Sequence, residues 1–199
     1  MADQNRTSPI ERGLDDAIAL ATWLRDLERG DGAITRIADH IAGCLAAGGR
    51  VLTCGNGGSL CDAMHFAEEL SGRFRNDRPA VAAQAMADPS HLTCVGNDYG
   101  FDRVFSRGVE AWGKAGDALI VFSTSGKSAN LIAAVEAARA RGLSVVGLLG
   151  RDGGPLRTAC DHAIVVPGST SDRIQEVHIK IVHLMIELIE ERLFKDGRV

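Results

Sequence analysis

His65 and Glu69 stand four residues apart in a segment, Leu60 to Leu70, that reads as a helix. That spacing puts both side chains on one face. A histidine and a carboxylate so placed can move protons, and they are also competent metal ligands. On its own, a His-x-x-x-Glu pair is usually a solvated helix pair, so its surroundings must decide. A second polar set, Asp172, Gln175, Glu176, His178 and His183, interrupts a long apolar segment from about Ser171 to Phe194. Asp172 and Glu176 suit the start of a helix. His183 lies among Val182, Leu184, Met185 and Ile186, which predicts a buried imidazole in need of a partner. A satisfied core histidine and a catalytic one fit that pattern about equally well.

The segment before His65 gives the context. Arg50 to Cys54 reads as a buried strand and runs into Gly55-Asn56-Gly57-Gly58-Ser59, then into the helix of His65 and Glu69. The design recurs: Ala118 to Phe122, then Ser123-Thr124-Ser125-Gly126-Lys127-Ser128, then a helix from Ala129 to Arg141. A Gly, Ser and Thr loop at a helix N-terminus offers backbone N–H groups, hydroxyls and the positive dipole end, which suits a phosphate. Five residues of Ser123–Ser128 carry a side-chain donor, more than a plain tight turn requires. Nucleotide motifs fail on their glycines. A Walker A loop ending at Gly126-Lys127-Ser128 needs glycine at Val121, and a dinucleotide fingerprint from Gly55 needs it at Leu60. A smaller phosphate compound remains. Beside such a pocket, a carboxylate and a histidine suit enediol chemistry, in which a base removes a proton next to a sugar carbonyl and an acid manages the oxygen protons.

The elements that must position these residues are legible from periodicity. Helical spacing covers about Ile10 to Leu27 and Ala33 to Ala47, with Gly30-Asp31-Gly32 between them. Further strands are expected near Val81–Met86, Leu143–Leu149 and Ala163–Val166. A short helix after Pro89 should break at Gly96-Asn97-Asp98-Tyr99-Gly100, before a helix from Phe101 to Trp112. Strands separated by helices imply a parallel sheet covered on both faces, so the expected class is α/β: a three-layer αβα sandwich on a five-stranded parallel sheet, with N-terminal helices. The expected organisation is loose residues 1–8, then one domain over 9–199: helices over 10–47, sheet and helices over 50–168, and a C-terminal helix over 171–194. That last helix is apolar around most of its circumference, which suggests burial against another subunit.

At 199 residues with 45% hydrophobic content, one well-cored domain is the default. A net charge of -4 and a pI near 5.9 disfavour nucleic acid as a partner. Five cysteines without C-x-x-C spacing read as reduced thiols. The N-terminus has no secretory pattern and no apolar run is long enough for a bilayer, so the expectation is cytoplasmic, with no membrane contact.

Several motifs in order resemble the sugar isomerase (SIS) domain, and within it the bacterial phosphoheptose isomerases, over about residues 10–194. They are Cys54-Gly-Asn-Gly-Gly-Ser59, Asp62-Ala-Met-His-Phe-Ala-Glu-Glu69, Val95-Gly-Asn-Asp-Tyr-Gly100, Ser123–Ser128 and Asp172-Arg-Ile-Gln-Glu-Val-His178 with His183. The resemblance implies a homotetramer with active sites shared between subunits. It implies a sugar phosphate held by Asn56, Gly57, Gly58, Ser59, Asn97, Asp98, Ser123, Thr124, Ser125 and Ser128, with Glu69, Asp172 and Gln175 also at the substrate. It implies Glu69 as base and His183 as acid, and one zinc per subunit on His65, Glu69, Gln175 and His183. The implied reaction converts D-sedoheptulose 7-phosphate to D-glycero-D-manno-heptose 7-phosphate, the entry to activated heptose for lipopolysaccharide core or other surface glycans. The alternative is a non-catalytic SIS protein that binds a protein partner, of the replication-initiator-associating type; those relatives lack the acid–base pair. One expectation is geometric. Gln175 and His183 are eight residues apart, roughly 12 Å of rise and 80° of rotation on a regular helix. Sharing one metal requires an irregular helix start, side chains that lean strongly together, or ligands from different subunits.

Overall fold

The computed structural model describes residues 8–194, so of the segment 1–8 expected to be loose, residues 1–7 lie outside the described part. Ser8 is already the N-cap of α1 (Pro9–Asp31), in a capping box with Glu11. Gly32, at φ 61°, ends α1 and leads directly into α2 (Ala33–Ala46), so the expected three-residue break shrinks to one left-handed glycine.

The sheet follows in alternation with helices: β1 (Val51–Gly55), α3 (Gly58–Ser71), β2 (Ala83–Ala85), α4 (Pro89–Tyr99), α5 (Ser106–Trp112), β3 (Ala118–Ser123), α6 (Ala129–Ala140), β4 (Ser144–Gly150), α7 (Leu156–Ala159), β5 (His162–Val166) and α8 (Ser171–Phe194). The five strands are all parallel in the order β2-β1-β3-β4-β5. The interior strands are continuous apolar runs because both faces are covered. Alternate residues feed two cores. Val51, Ile120, Phe122, Val146 and Leu148 pack towards α2, α3 and α8. Leu52, Cys54, Leu119, Val121 and Val145 pack towards α5 and α6.

Three expectations are corrected. β2 is shorter than Val81–Met86, because the Val81 amide donates to the Leu70 carbonyl at the end of α3 instead of joining the ladder. α4 does not break at Gly96. It runs on to Tyr99, and burial of Val95 outweighs the roughly 1 kcal/mol helix penalty of glycine. The predicted helix from Phe101 begins as a 3₁₀ turn at Phe101–Arg103 and becomes α-helical only at Ser106. The apolar circumference of α8 finds much of its cover within the chain, against residues of α1, α2, α3 and the sheet. All five cysteines are free. Among the described residues, no helix is long and apolar enough to cross a membrane.

Candidate active site

The strand order reverses between β1 and β3, and an open parallel sheet binds ligands outside the carboxyl ends of its strands at such a point. Both phosphate-type loops leave the sheet there, residues 55–58 from β1 and 124–128 from β3. Their side chains join across the gap. Asn56 and Asn130 exchange reciprocal amide hydrogen bonds, Nδ2 to Oδ1 at 3.0 and 2.9 Å. Asn130, 2% exposed, is a residue that sequence reasoning missed; its partner lies 74 positions away.

Within the β3 loop, Ser123 Oγ accepts from the Gly126 amide at 2.9 Å and Ser125 Oγ from the Lys127 amide at 3.3 Å. Thr124 Oγ1 meets Ser171 Oγ at 3.1 Å, which ties the loop to the start of α8. Ser128 is the N-cap of α6, and its side chain makes no capping hydrogen bond. In the β1 loop, Gly57 has φ 56° and Gly58 lies against Gln175. A Cβ at Gly58 would sit 2.7 Å from Gln175 Oε1, so the glycine leaves the room in which that flexible amide lies.

Helices α3 and α8 run in the same direction, and their contacts form successive rungs. Gln175 Nε2 donates to Ser59 Oγ at 3.4 Å. Further along both helices, His183 Nε2 lies 3.1 Å from His65 Nε2. Glu69 Oε1 lies 3.1 Å from the same His65 nitrogen. One atom each from His65, Glu69 and His183 falls within 4.8 Å of the others. A single proton on His65 Nε2 cannot satisfy both contacts, whereas a divalent cation can accept all three lone pairs. Two histidines, a glutamate and an open position form a set that zinc-type ions accept, so the residues fit a metal.

Gln175 stands on the earlier rung. α8 is a continuous α-helix, so an irregular helix start does not bring Gln175 to the cluster. His183 is not fully buried as its neighbours predict. Those neighbours point to other faces of α8, while His183 faces the α3 cluster and stacks on Phe74 at 5.9 Å. Burial, and then the neighbouring His65, hold its imidazole below the ordinary histidine range. The fully buried histidine is His178, which bonds the Leu149 carbonyl at 3.1 Å. Asp62, one turn before His65, is buried with Oδ2 unpartnered, and burial pushes its carboxyl up to about 6. Asp172 is exposed at the start of α8. Asn97 and Asp98 are exposed at the end of α4 and bond to each other at 2.7 Å. Among the described residues, no hydrogen bond links that pair to either loop.

The assembly is thus a proton-transfer and metal-competent cluster about two to three helical turns from paired phosphate-type loops. This fold and site define a SIS-domain protein: the SIS domain family matches residues 18–150. The phosphoheptose isomerase of Fusobacterium nucleatum is 54% identical over 164 residues, 82% of this chain and 84% of that protein. That of Yersinia pestis is 54% identical over 180 residues, 90% and 93% of the two chains. Among solved structures, the Neisseria gonorrhoeae phosphoheptose isomerase superposes with a TM-score of 0.85 at 40% identity, covering 92% of this chain and 97% of that one. The Francisella tularensis enzyme gives 0.84 at 35% identity, covering 92% and 96%. The chain belongs to the phosphoheptose isomerase family of SIS-domain proteins.

Proposed function

We propose that the protein interconverts D-sedoheptulose 7-phosphate and D-glycero-D-manno-heptose 7-phosphate through an enediol. The observation that carries this reading is the convergence of His65, Glu69 and His183 beside the two loops at the β1–β3 switch point. The loops take the phosphate on the backbone amides and hydroxyls of Gly57, Gly58, Ser59, Ser123, Thr124, Ser125 and Ser128. That grip sets the sugar's carbonyl end beside α3 and α8. Glu69 removes the proton from C1 of the ketose, and C1 and C2 become the two carbons of the enediol. His183 handles the proton that leaves O1 and appears on O2. Return of a proton to C2 completes the aldose. Gln175, fixed against Gly58 and Ser59, presents its amide to the sugar hydroxyls between the two ends.

His65, Glu69 and His183 would hold the zinc ion, which supplies Lewis-acid polarisation of the substrate oxygens when bound. A fourth protein ligand from Gln175 fits best if it comes from another subunit or if the side chains lean strongly together. A homotetramer with shared sites is supported by the exposed stripe Ile10, Leu14 and Ile18 on α1, 74%, 60% and 66% exposed, which lacks apolar cover among the described residues. Asn97 and Asp98 join a site most simply through assembly. A cytoplasmic location and supply of heptose to lipopolysaccharide core or other surface glycans complete the reading.

The test is direct. Purified protein given sedoheptulose 7-phosphate, with and without added zinc, should form an aldose heptose phosphate. Absence of turnover under both conditions contradicts the isomerase reading.

A further inference from the structure

We propose that Arg78 is a positioning residue for the isomerisation, clamping the helix of the base against the helix of the acid. The inference rests on the isomerase reading above. α3 carries Glu69 in its last turn and ends at Ser71. The last carbonyls of a helix need partners, and a left-handed glycine turn commonly supplies them. Here Gly72 has φ -92° and ψ -107°, outside the left-handed region, and its amide reaches only the Glu68 carbonyl.

The guanidinium of Arg78 fills the vacancy. Nη2 donates to the Glu69 carbonyl at 2.6 Å, and Nη1 donates to the carbonyls of Leu70, Gly72 and Pro79 at 2.7, 3.1 and 3.2 Å. Nε donates to Glu190 Oε1 of α8 at 2.8 Å. The Arg78 and Glu190 side chains are only 6% and 16% exposed, so this is not a solvated surface pair. One planar group thus holds the backbone of the residue whose carboxylate enters the cluster, and holds the helix of His183 two turns further on.

The surrounding loop repeats the pattern. Phe74 stacks on His183, and Arg75 pairs with Glu187 at 2.7 Å. Residues 183, 187 and 190 form one stripe of α8, so the loop straps α8 along the face turned to α3. The clamp also forms the third rung of the ladder, after Gln175 with Ser59 and His183 with His65. Proton transfer between two groups depends on sub-ångström placement, and a shift of about 1 Å costs up to ~10²-fold in rate. Lysine cannot substitute, because a single ammonium lacks the forked donors that reach Glu190 and the helix carbonyls together.

The experiment compares wild type, Arg78→Lys, Arg78→Ala and Arg192→Ala by steady-state kinetics on sedoheptulose 7-phosphate, with melting and gel filtration as folding checks. Arg78→Lys should lose kcat by about 10- to 100-fold, with KM within about threefold, because the phosphate loops lie at the other end of α3. Arg192→Ala breaks an exposed pair with Asp39, away from the cluster and the loop, and should stay within about twofold. Guanidinium ion at millimolar concentration should restore part of the kcat of Arg78→Ala. If Arg78→Lys does not fold, Glu190→Gln replaces it, with a kcat loss of about tenfold expected at unchanged KM. A kcat of the substituted protein within twofold of wild type overturns the proposal. So does a loss that appears equally in KM and melting and that guanidinium does not repair. If wild type itself shows no turnover, the isomerase reading fails, and amide exchange over residues 66–72 decides the clamp. Faster exchange in Arg78→Lys supports it, and unchanged exchange overturns it.

Discussion

The imidazoles of His65 and His183 meet nitrogen to nitrogen, Nε2 to Nε2 at 3.1 Å, across two helices that run in the same direction. With Glu69 Oε1 at 3.1 Å from the same His65 atom, three electron-pair donors lie within 4.8 Å of one another. The protein should therefore take up one zinc or cobalt ion per chain. His183→Ala and His65→Ala should each weaken that uptake by at least about tenfold, as expected when a ligand is lost from a small site. Equilibrium dialysis with metal analysis checks this. Equal uptake by wild type and both variants would place the ion elsewhere.

Gly58 is a contact position as well as a loop position. Gly58→Ala drives a methyl into Gln175 Oε1, and the flexible amide swings away from Ser59. The fold should survive, while KM for the sugar phosphate rises about tenfold, about 1.4 kcal/mol of lost binding. Steady-state kinetics measures the effect, and an unchanged KM would remove Gln175 from the substrate site.

The Asn56–Asn130 pair makes the two phosphate loops one object. Asn130→Ala leaves the Asn56 amide without its partner in a partly buried setting, a loss of roughly 1–3 kcal/mol. The expected result is a lower melting temperature together with weaker binding of the phosphorylated sugar. A variant with normal binding and normal melting would show that the loops are positioned independently.

Much of this arrangement is legible in the sequence, and the missing parts share a cause. β1 and β3 announce themselves as unbroken apolar runs, because a strand covered on both faces has no polar period. The two loops are legible because small residues cluster between strand and helix patterns. His65 and Glu69 are found by local spacing. Asn130 and Arg78 are not, since their meaning lies in partners 74 and 112 positions away. His183 is legible as a functional residue, but its partial burial is not. Its apolar neighbours describe the faces of α8 that turn to the core, not the face that carries the imidazole.

His178 predicts an acid sensitivity separate from the active site. Its ring is 0% exposed, Nε2–H donates to the Leu149 carbonyl and Nδ1 has no partner among the described residues. Burial pulls its pKa down to about 4. The folded state therefore refuses a proton that the unfolded chain accepts below about 6.5. This stability is complete above that value and drains away as pH falls towards 4. Between pH 7 and pH 5 the group should cost about 2 kcal/mol, and His178→Gln should not show that loss. Urea unfolding at both pH values, at fixed protein concentration, reads the difference. An identical pH dependence in the two proteins would contradict the assignment.

The role of Glu69 as the base is tested most directly by the turnover number of Glu69→Gln on sedoheptulose 7-phosphate, measured beside binding of the same sugar. Glutamine keeps the shape of Glu69 but cannot take a proton. Glu69→Gln should lose at least about 10³-fold in kcat, with the sugar phosphate still bound by the loops of β1 and β3. A variant that retains kcat within about tenfold of wild type would contradict that role, because the base would then be some other group.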